Sequence, residues 1–435
     1  MRKLLCFCLL VCVPLAAQEV PVATELSGNP FFIKKTWLIG GVGSWDYLTM
    51  DPSAQRLYIA HGSSVQVVDV ETGTIAGEIS GFREAHAISL DDTGALGYIS
   101  DGRANNVKVF DRRSLQIVAT IPTVPNPRAL VFEPQTKLLF AVCTVPSGTA
   151  SASQVSCGSM QPAASRGPPE RANVASSIAV IDTVTRTALG QILFPGKLGF
   201  AEADGNGKVY VNVTDRNQVL RLDAQAIAVL LQKQLAAHPS NPAVSPAREL
   251  SAIPALDPSV NPSPRIDVFT PAVTLDWSRA RPPDEDVFTF PLPAGCRQPV
   301  SLAVDGAHMR MFAACDNWKI AVLNTGTGEP VASLTTGPGT DAIAFDQSRG
   351  LIFSANGGGY GSLTVIRQDA TTDTYAVIQD LPTRERARTL AVDSSTGAVY
   401  LVTDFIGVDL AHQGGIGALK SVPINGSFQV LVIGH

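Results

Sequence analysis

The stretch YLTMDPSAQRLYIAHGSSVQVVDVETGTIAGEI, residues Tyr47 to Ile79, holds the pattern on which the chain is built. An apolar run closes on an acid, Asp51, and a turn carrying Pro52 leads into an aromatic-bearing run that ends at His61. A polar pair then opens VQVVDV (65–70), which alternates and is rich in Val, as a half-buried strand requires. IAGEI (75–79) supplies a fourth run.

Counting from Asp51 finds the same phrase seven times. The closing acids are Asp51, Asp91, Glu133, Asp204, Asp305, Asp346 and Asp393, at intervals of 40, 42, 71, 101, 41 and 47 residues. Two intervals therefore carry insertions of about 30 and 60 residues on a period near 41, and a period of that size with four strands per repeat is the signature of propeller blades. The second strand ends ten residues after the acid in six copies and nine after it in the fourth, at His61, Asp101, Cys143, Val213, Cys315, Asn356 and Thr403. The predicted fold is all-β, a seven-bladed β-propeller of four-stranded antiparallel blades. The final copy ends in FQVLVIGH (428–435), which aligns with a third strand, and KKTWLIGG (34–41) resembles a fourth. The N-terminal strand is accordingly expected to complete the last blade, which removes free sheet edges.

The first insertion, about 145–175, falls between the second and third strands of blade three and is rich in Ser, Ala, Gly and Pro. The second, about 224–285, opens with a predicted helix, AQAIAVLLQKQLAA (224–237), and DVFTFPL (286–292) then supplies the fourth strand of blade four. The rest of 18–435 reads as one domain.

Arg2 and Lys3 precede an apolar run from Leu4 to Leu15, followed by Ala16 and Ala17, so residues 1–17 read as a secretory signal. No later run has the length a membrane helix needs. An exported protein, periplasmic or extracellular, is expected. Cys143, Cys157, Cys296 and Cys315 lie beyond the leader, and an even number in that setting suggests disulfides; antiparallel pairing in blade five would bring Cys296 and Cys315 to one end, where a bond is expected, and Cys143 and Cys157 are candidates to staple the first insertion. Without Arg2 and Lys3 the chain has 31 basic against 38 acidic residues, a formal charge of about −7, which offers no footprint for DNA or an anionic membrane.

The second strands read YIAH (58–61), YISD (98–101), FAVC (140–143), YVNV (210–213), FAAC (312–315), FSAN (353–356) and YLVT (400–403). They resemble the YVTN family of bacterial β-propeller repeats, the YncE-like proteins. The resemblance implies seven blades. For function it implies a wide range, because YVTN-type and quinoprotein-dehydrogenase-like propellers include binding proteins, surface-layer proteins, cofactor-bearing subunits and a nucleic-acid binder. No catalytic residue is carried over from it.

The residue opening each innermost strand lies five before the closing acid: Asp46, His86, Arg128, Gly199, Val300, Asp341 and Arg388. Asp46, His86, Arg128, Asp341 and Arg388 thus form the predicted binding rim at the channel mouth, with His61, Asp101 and Asn356 as secondary rim positions. Arg128 and Arg388 suit a carboxylate or phosphate. The bland reading is that these acids and bases neutralise one another around a wet channel. No cofactor is expected; a divalent metal at His61, His86 and Asp46 competes with that reading but lacks any close HxH or HxxxH pair. The glycine run GGGYG (357–361) has no following Lys or helix and reads as a flexible turn. The expected function is a binding module, a monomer, that takes a small molecule, peptide or envelope protein on its loop-bearing face. Alternatives are an oxidoreductase or lactonase-like hydrolase with His86 and Asp46 as acid and base, and, by resemblance alone, nucleic-acid binding.

Overall fold

The computed structural model describes residues 30–41, 43–145, 175–237, 273–277, 287–409 and 420–435. Among them are seven blades of four antiparallel strands, in chain order from the inside outward in all but the seventh, whose outer strand comes from the N-terminal side. In blade one these are Trp45–Asp51, Arg56–His61, Ser64–Asp69 and Thr74–Ile79. The innermost strands touch their neighbours from blade one round to blade seven and back to blade one, so the ring is closed. Cores between blades are built from alternating Val, Ile and Leu with buried Tyr58, Tyr98, Phe140, Tyr210, Phe312, Phe353 and Tyr400, the aromatics of the repeated second strands.

The counted acids earn their regularity as turn staples. In every blade the acid ending the innermost strand accepts a backbone N–H from the turn that follows: Ala54 on Asp51 (3.1 Å), Leu96 on Asp91 (3.3 Å), Thr136 on Glu133 (2.7 Å), Asn206 on Asp204 (2.7 Å), His308 on Asp305 (3.2 Å), Ser348 on Asp346 (3.0 Å) and Ser395 on Asp393 (2.9 Å). A short acid side chain that satisfies turn donors fixes where one strand stops and the next begins. The same device closes third strands, where Asp69, Asp111, Asp182, Asn324 and Asp369 each accept the N–H groups two and three residues on.

Blade seven closes as expected. The N-terminal strand, Phe32–Leu38, pairs antiparallel with Gln429–Gly434, the third strand of that blade. Trp37 stacks on Tyr400 at 5.8 Å. Gln379 of blade six adds a clasp, donating to the Phe31 carbonyl and accepting its N–H, both at 2.8 Å.

Blade three runs from Leu138–Val145 into Ala175–Asp182 across the first insertion, whose interior lies outside the described residues. The second insertion begins with the expected helix, Ala224–Ala237, started by an Asp223 carboxylate that accepts the Ala226 N–H at 3.0 Å. Ile227 and Leu231 are fully buried. The insertion then does something its position in blade four does not announce. Residues Thr274–Asp276 lie parallel to Thr187–Pro195 as a fifth strand on the outer edge of blade three. Gly190 permits this, because a Cβ there would stand 2.6 Å from the Val273 carbonyl oxygen. The chain returns to supply Val287–Pro291 as the fourth strand of blade four.

Candidate functional site

Blade geometry defines two faces. The connections from second to third strand and from blade to blade form the loop face, and the acid-stapled turns form the opposite turn face. Near the loop face the innermost strands skip register against their partners in six blades, between residues 45/48, 85/88, 127/129, 198/201, 299/301 and 340/342. A skipped residue is released from the ladder and its side chain re-aimed. The released set contains Asp46, His86, Arg128, Gly199, Val300 and Asp341, and Arg388 directly precedes the strand Thr389–Asp393. Six of the seven mouth positions counted from the acids are therefore β-bulges.

The bulges bring the charged rim together. His86 Nδ1 and Asp46 Oδ2 are 2.7 Å apart, and Arg128 Nη2 lies 3.7 Å from the same oxygen. Arg388 Nε faces Asp341 Oδ2 at 3.3 Å. Arg128 and Arg388 each keep 44% of their side-chain exposure, so both pairs are wet. Partial desolvation among the crowded inner strands pushes the half-exposed Asp341 carboxyl above its ordinary range; Arg388 opposes this and the Asp46 charge reinforces it. His86 itself is buried, its Nε2 3.7 Å from Glu84 Oε2 and without a hydrogen-bond partner. Gly102 sits against that nitrogen, where a Cβ would approach to 2.6 Å. The Asp46–His86 dyad thus has the hydrogen bond of an acid–base pair and no open side from which a substrate could reach Nε2.

The secondary positions hold the loops. His61 contacts Gln66 Oε1 at 2.9 Å and the Gly43 carbonyl at 3.3 Å, and packs on Phe428. Asp101 accepts the N–H groups of Arg83 and Glu84 at 3.0 to 3.1 Å, which fixes the connection into blade two. Asn356, fully buried, accepts from Thr340 at 2.7 Å and donates to Thr364 at 2.9 Å. Among the described residues no group of three or more His, Cys, Asp and Glu is placed to hold a metal. Cys296 and Cys315 form a disulfide with a Cα separation of 5.5 Å, as expected. Cys143 is buried and forms no disulfide among the described residues, and its candidate partner Cys157 lies outside them.

Three features were not counted from the sequence. Below the rim Tyr47 and Phe200, neighbours of bulged residues in blades one and four, meet with ring centroids 5.4 Å apart. Beneath them a 510 Å³ cavity runs along the inner strands of blades one to four toward the turn face, and Glu202 lines it. The third is on the loop face of blades five to seven, where Trp318 is 52%, Tyr360 94% and Phe405 45% exposed, on three successive second-to-third strand connections. Arg384 lies over the Phe405 ring at 5.2 Å, and Arg386 bridges to Asp404 at 3.2 Å and over Trp45. The alternation RERAR (384–388) marks this basic edge in the sequence. GGGYG, expected as a flexible turn, lies against the next blade connection: Thr383 and Arg386 donate backbone N–H groups to Gly361 and Gly357, and a Cβ on Gly361, at φ +79°, would stand 1.9 Å from the Arg384 carbonyl oxygen. The glycines let the loop pack against the blade connection and hold Tyr360 out from it.

Comparison with family models and with curated proteins finds no match. Among solved structures the chain is similar to U3-55K, with a TM-score of 0.57 at 11% identity over 92% of this chain and 98% of that one. It is similar to the RRP9 WD40 repeats (0.56, 11%, 93% and 97%) and to a chain of the mitotic checkpoint complex (0.56, 12%, 96% and 98%). At such identity the likeness is one of fold: a seven-bladed, WD40-like propeller.

Proposed function

We propose that the protein is an exported, non-enzymatic scaffold whose loop face over blades five to seven binds an acidic segment of a partner protein. The observation that carries this reading is the exposed trio Trp318, Tyr360 and Phe405 edged by Arg384, Arg386 and Arg388. Aromatics and arginines of this kind dominate the binding energy of protein interfaces, and a basic rim favours an acidic partner. Structural neighbours named for WD40 repeats and for a multiprotein complex agree with an interaction role. The YIAH-type second strands support an affiliation with YVTN repeats. Export rests on the Arg2–Ala17 leader pattern and is supported by the Cys296–Cys315 disulfide, a bond that persists in oxidising compartments. The hydrolase reading has less support, since His86 Nε2 is shut in beneath Gly102.

Fluorescein-labelled peptides rich in Glu and Asp, with matched Lys-rich and neutral controls, test the proposal by anisotropy. Acidic peptides should bind selectively, weaken as salt rises, and lose about tenfold or more in affinity against Trp318→Ala or Arg384→Glu. Equal binding of all three peptide classes, or indifference to both substitutions, would sink it.

A further inference from the structure

The cavity has the Tyr47–Phe200 pair at its end toward the charged rim and is lined toward the turn face by Asp91, Asp92 and Gly205. Its 510 Å³ lies within the roughly 300 to 1,000 Å³ range of small-ligand sites. The titratable groups lining it are Tyr47, Asp91, Asp92 and Glu202, and no Lys, Arg or His lines it. Asp91 and Asp92 at the rim already face Arg112 and Lys137. Glu202 does not: its carboxyl has no hydrogen bond or ion pair among the described residues, and burial alone raises it to about 8. The surrounding strands contribute Leu48, Ile88, Leu130 and Phe132 with the hydroxyls of Thr49 and Ser89, and the first of these hydroxyls is spent on the Ile88 carbonyl at 2.7 Å. Innermost strands elsewhere in the ring add no titratable group to the wall.

An unpartnered carboxyl within an acidic, aromatic-walled chamber asks for an organic cation. We propose that the chamber binds a guanidinium group, with Glu202 as its carboxylate partner and the Tyr47–Phe200 rings as its aromatic wall. Guanidinium fits better than a compact ammonium ion. It meets a carboxylate through two parallel N–H bonds, lies against aromatic faces, and is weakly hydrated, so it enters an apolar cavity at smaller desolvation cost. The group could belong to a free small molecule or to an arginine side chain presented at the turn face.

Isothermal titration of the full chain distinguishes these sources, using methylguanidinium chloride as the free probe and blocked Gly-Arg-Gly as the peptide probe. Saturable binding of the first alone assigns a small metabolite, and binding of the second alone assigns a peptide. Because Glu202 must ionise to meet the cation, binding at pH 7 should release close to one proton, read as an enthalpy that varies with the ionisation heat of the buffer. Affinity should rise about tenfold from pH 7 to pH 9, as the ionised fraction of a carboxyl near 8 grows. Tyr47, which burial pushes well above the ordinary phenol range, stays neutral across that window. E202Q should abolish both binding and proton release while melting at or above the wild-type temperature at pH 9, because the amide removes a charge that burial disfavours. Phe200→Ala should weaken binding several-fold. Methylurea binding as well as methylguanidinium, unchanged affinity in E202Q, or no binding of either probe up to about 10 mM would overturn the assignment.

Discussion

Arg112 belongs to blade two, yet its guanidinium closes on the Asp51 carboxylate of blade one, with Nε at 3.0 Å and Asp91 Oδ1 3.7 Å away on its own blade. Both Arg112 and Asp51 are buried. Burial opposes the Asp51 charge, but hydrogen bonds from Arg112, Ser53 and the Ala54 N–H outweigh it and hold the carboxyl below its ordinary range. A carboxyl depressed in the folded state contributes stability above its unfolded value, and that contribution disappears as pH falls through the folded value. Arg112→Ala leaves the acid buried without its cation and should cost about 3 to 5 kcal/mol at pH 7. The deficit should shrink as pH falls through the ordinary carboxylate range, because Asp51 without its cation takes up a proton in the variant before the wild-type carboxyl, held lower by Arg112, does. Urea unfolding of the two proteins at pH 7 and pH 3.5 measures this; an equal deficit at both would show that the pair does not account for the loss. The periodic Asp51 was legible because a turn acid recurs every blade. Arg112 was not, since its partner lies 61 residues back and nothing in the local pattern sets it apart from its neighbour Arg113.

Strands and turns were the most legible elements, because each carries its own alternation and its own stapling acid, and Val287–Pro291 was found even beyond the longest interruption. Thr274–Asp276 was not legible. Three residues hold no period, and their pairing with blade three depends on a Gly190 that only the structure shows to be a site of close approach. The disulfide is an element-scale clamp of a different kind: it joins the connection before the innermost strand of blade five to the end of its second strand, across a separation of 19 residues. Loop-closure entropy for such a span predicts a loss of about 3 kcal/mol in the Cys296→Ser, Cys315→Ser double variant. The comparison is by chemical denaturation, with thiol labelling of unreduced protein as its control. Labelling at Cys296 or Cys315 in the native chain would remove the basis for the expectation.

At the scale of the whole molecule, closure decides stability. Blade seven draws its outer strand from Phe32–Leu38, so the ring is joined by main-chain hydrogen bonds between the two ends of the described chain. Deleting residues 30–41 removes Trp37 from the core and bares the edge Gln429–Gly434, and the melting temperature should fall by more than about 10 °C. An unchanged melting temperature would mean that six complete blades and a three-stranded seventh hold by themselves. The rim was legible at this scale in the positions that share one count, Asp46, His86, Arg128, Asp341 and Arg388. Glu202 and the Tyr47–Phe200 contact were not, because each depends on blades one and four facing across a channel whose width no spacing records.

The register skips that open six of the innermost strands separate two demands that usually collide. A residue in the ladder must suit its cross-strand partner, whereas a bulged residue has no such partner to suit. Substitution at those positions can rewrite the charge of the mouth while the hydrogen-bonded frame around it stays the same. The molecule thus carries a ring of interchangeable contacts set into a scaffold that does not have to be refolded to accept them.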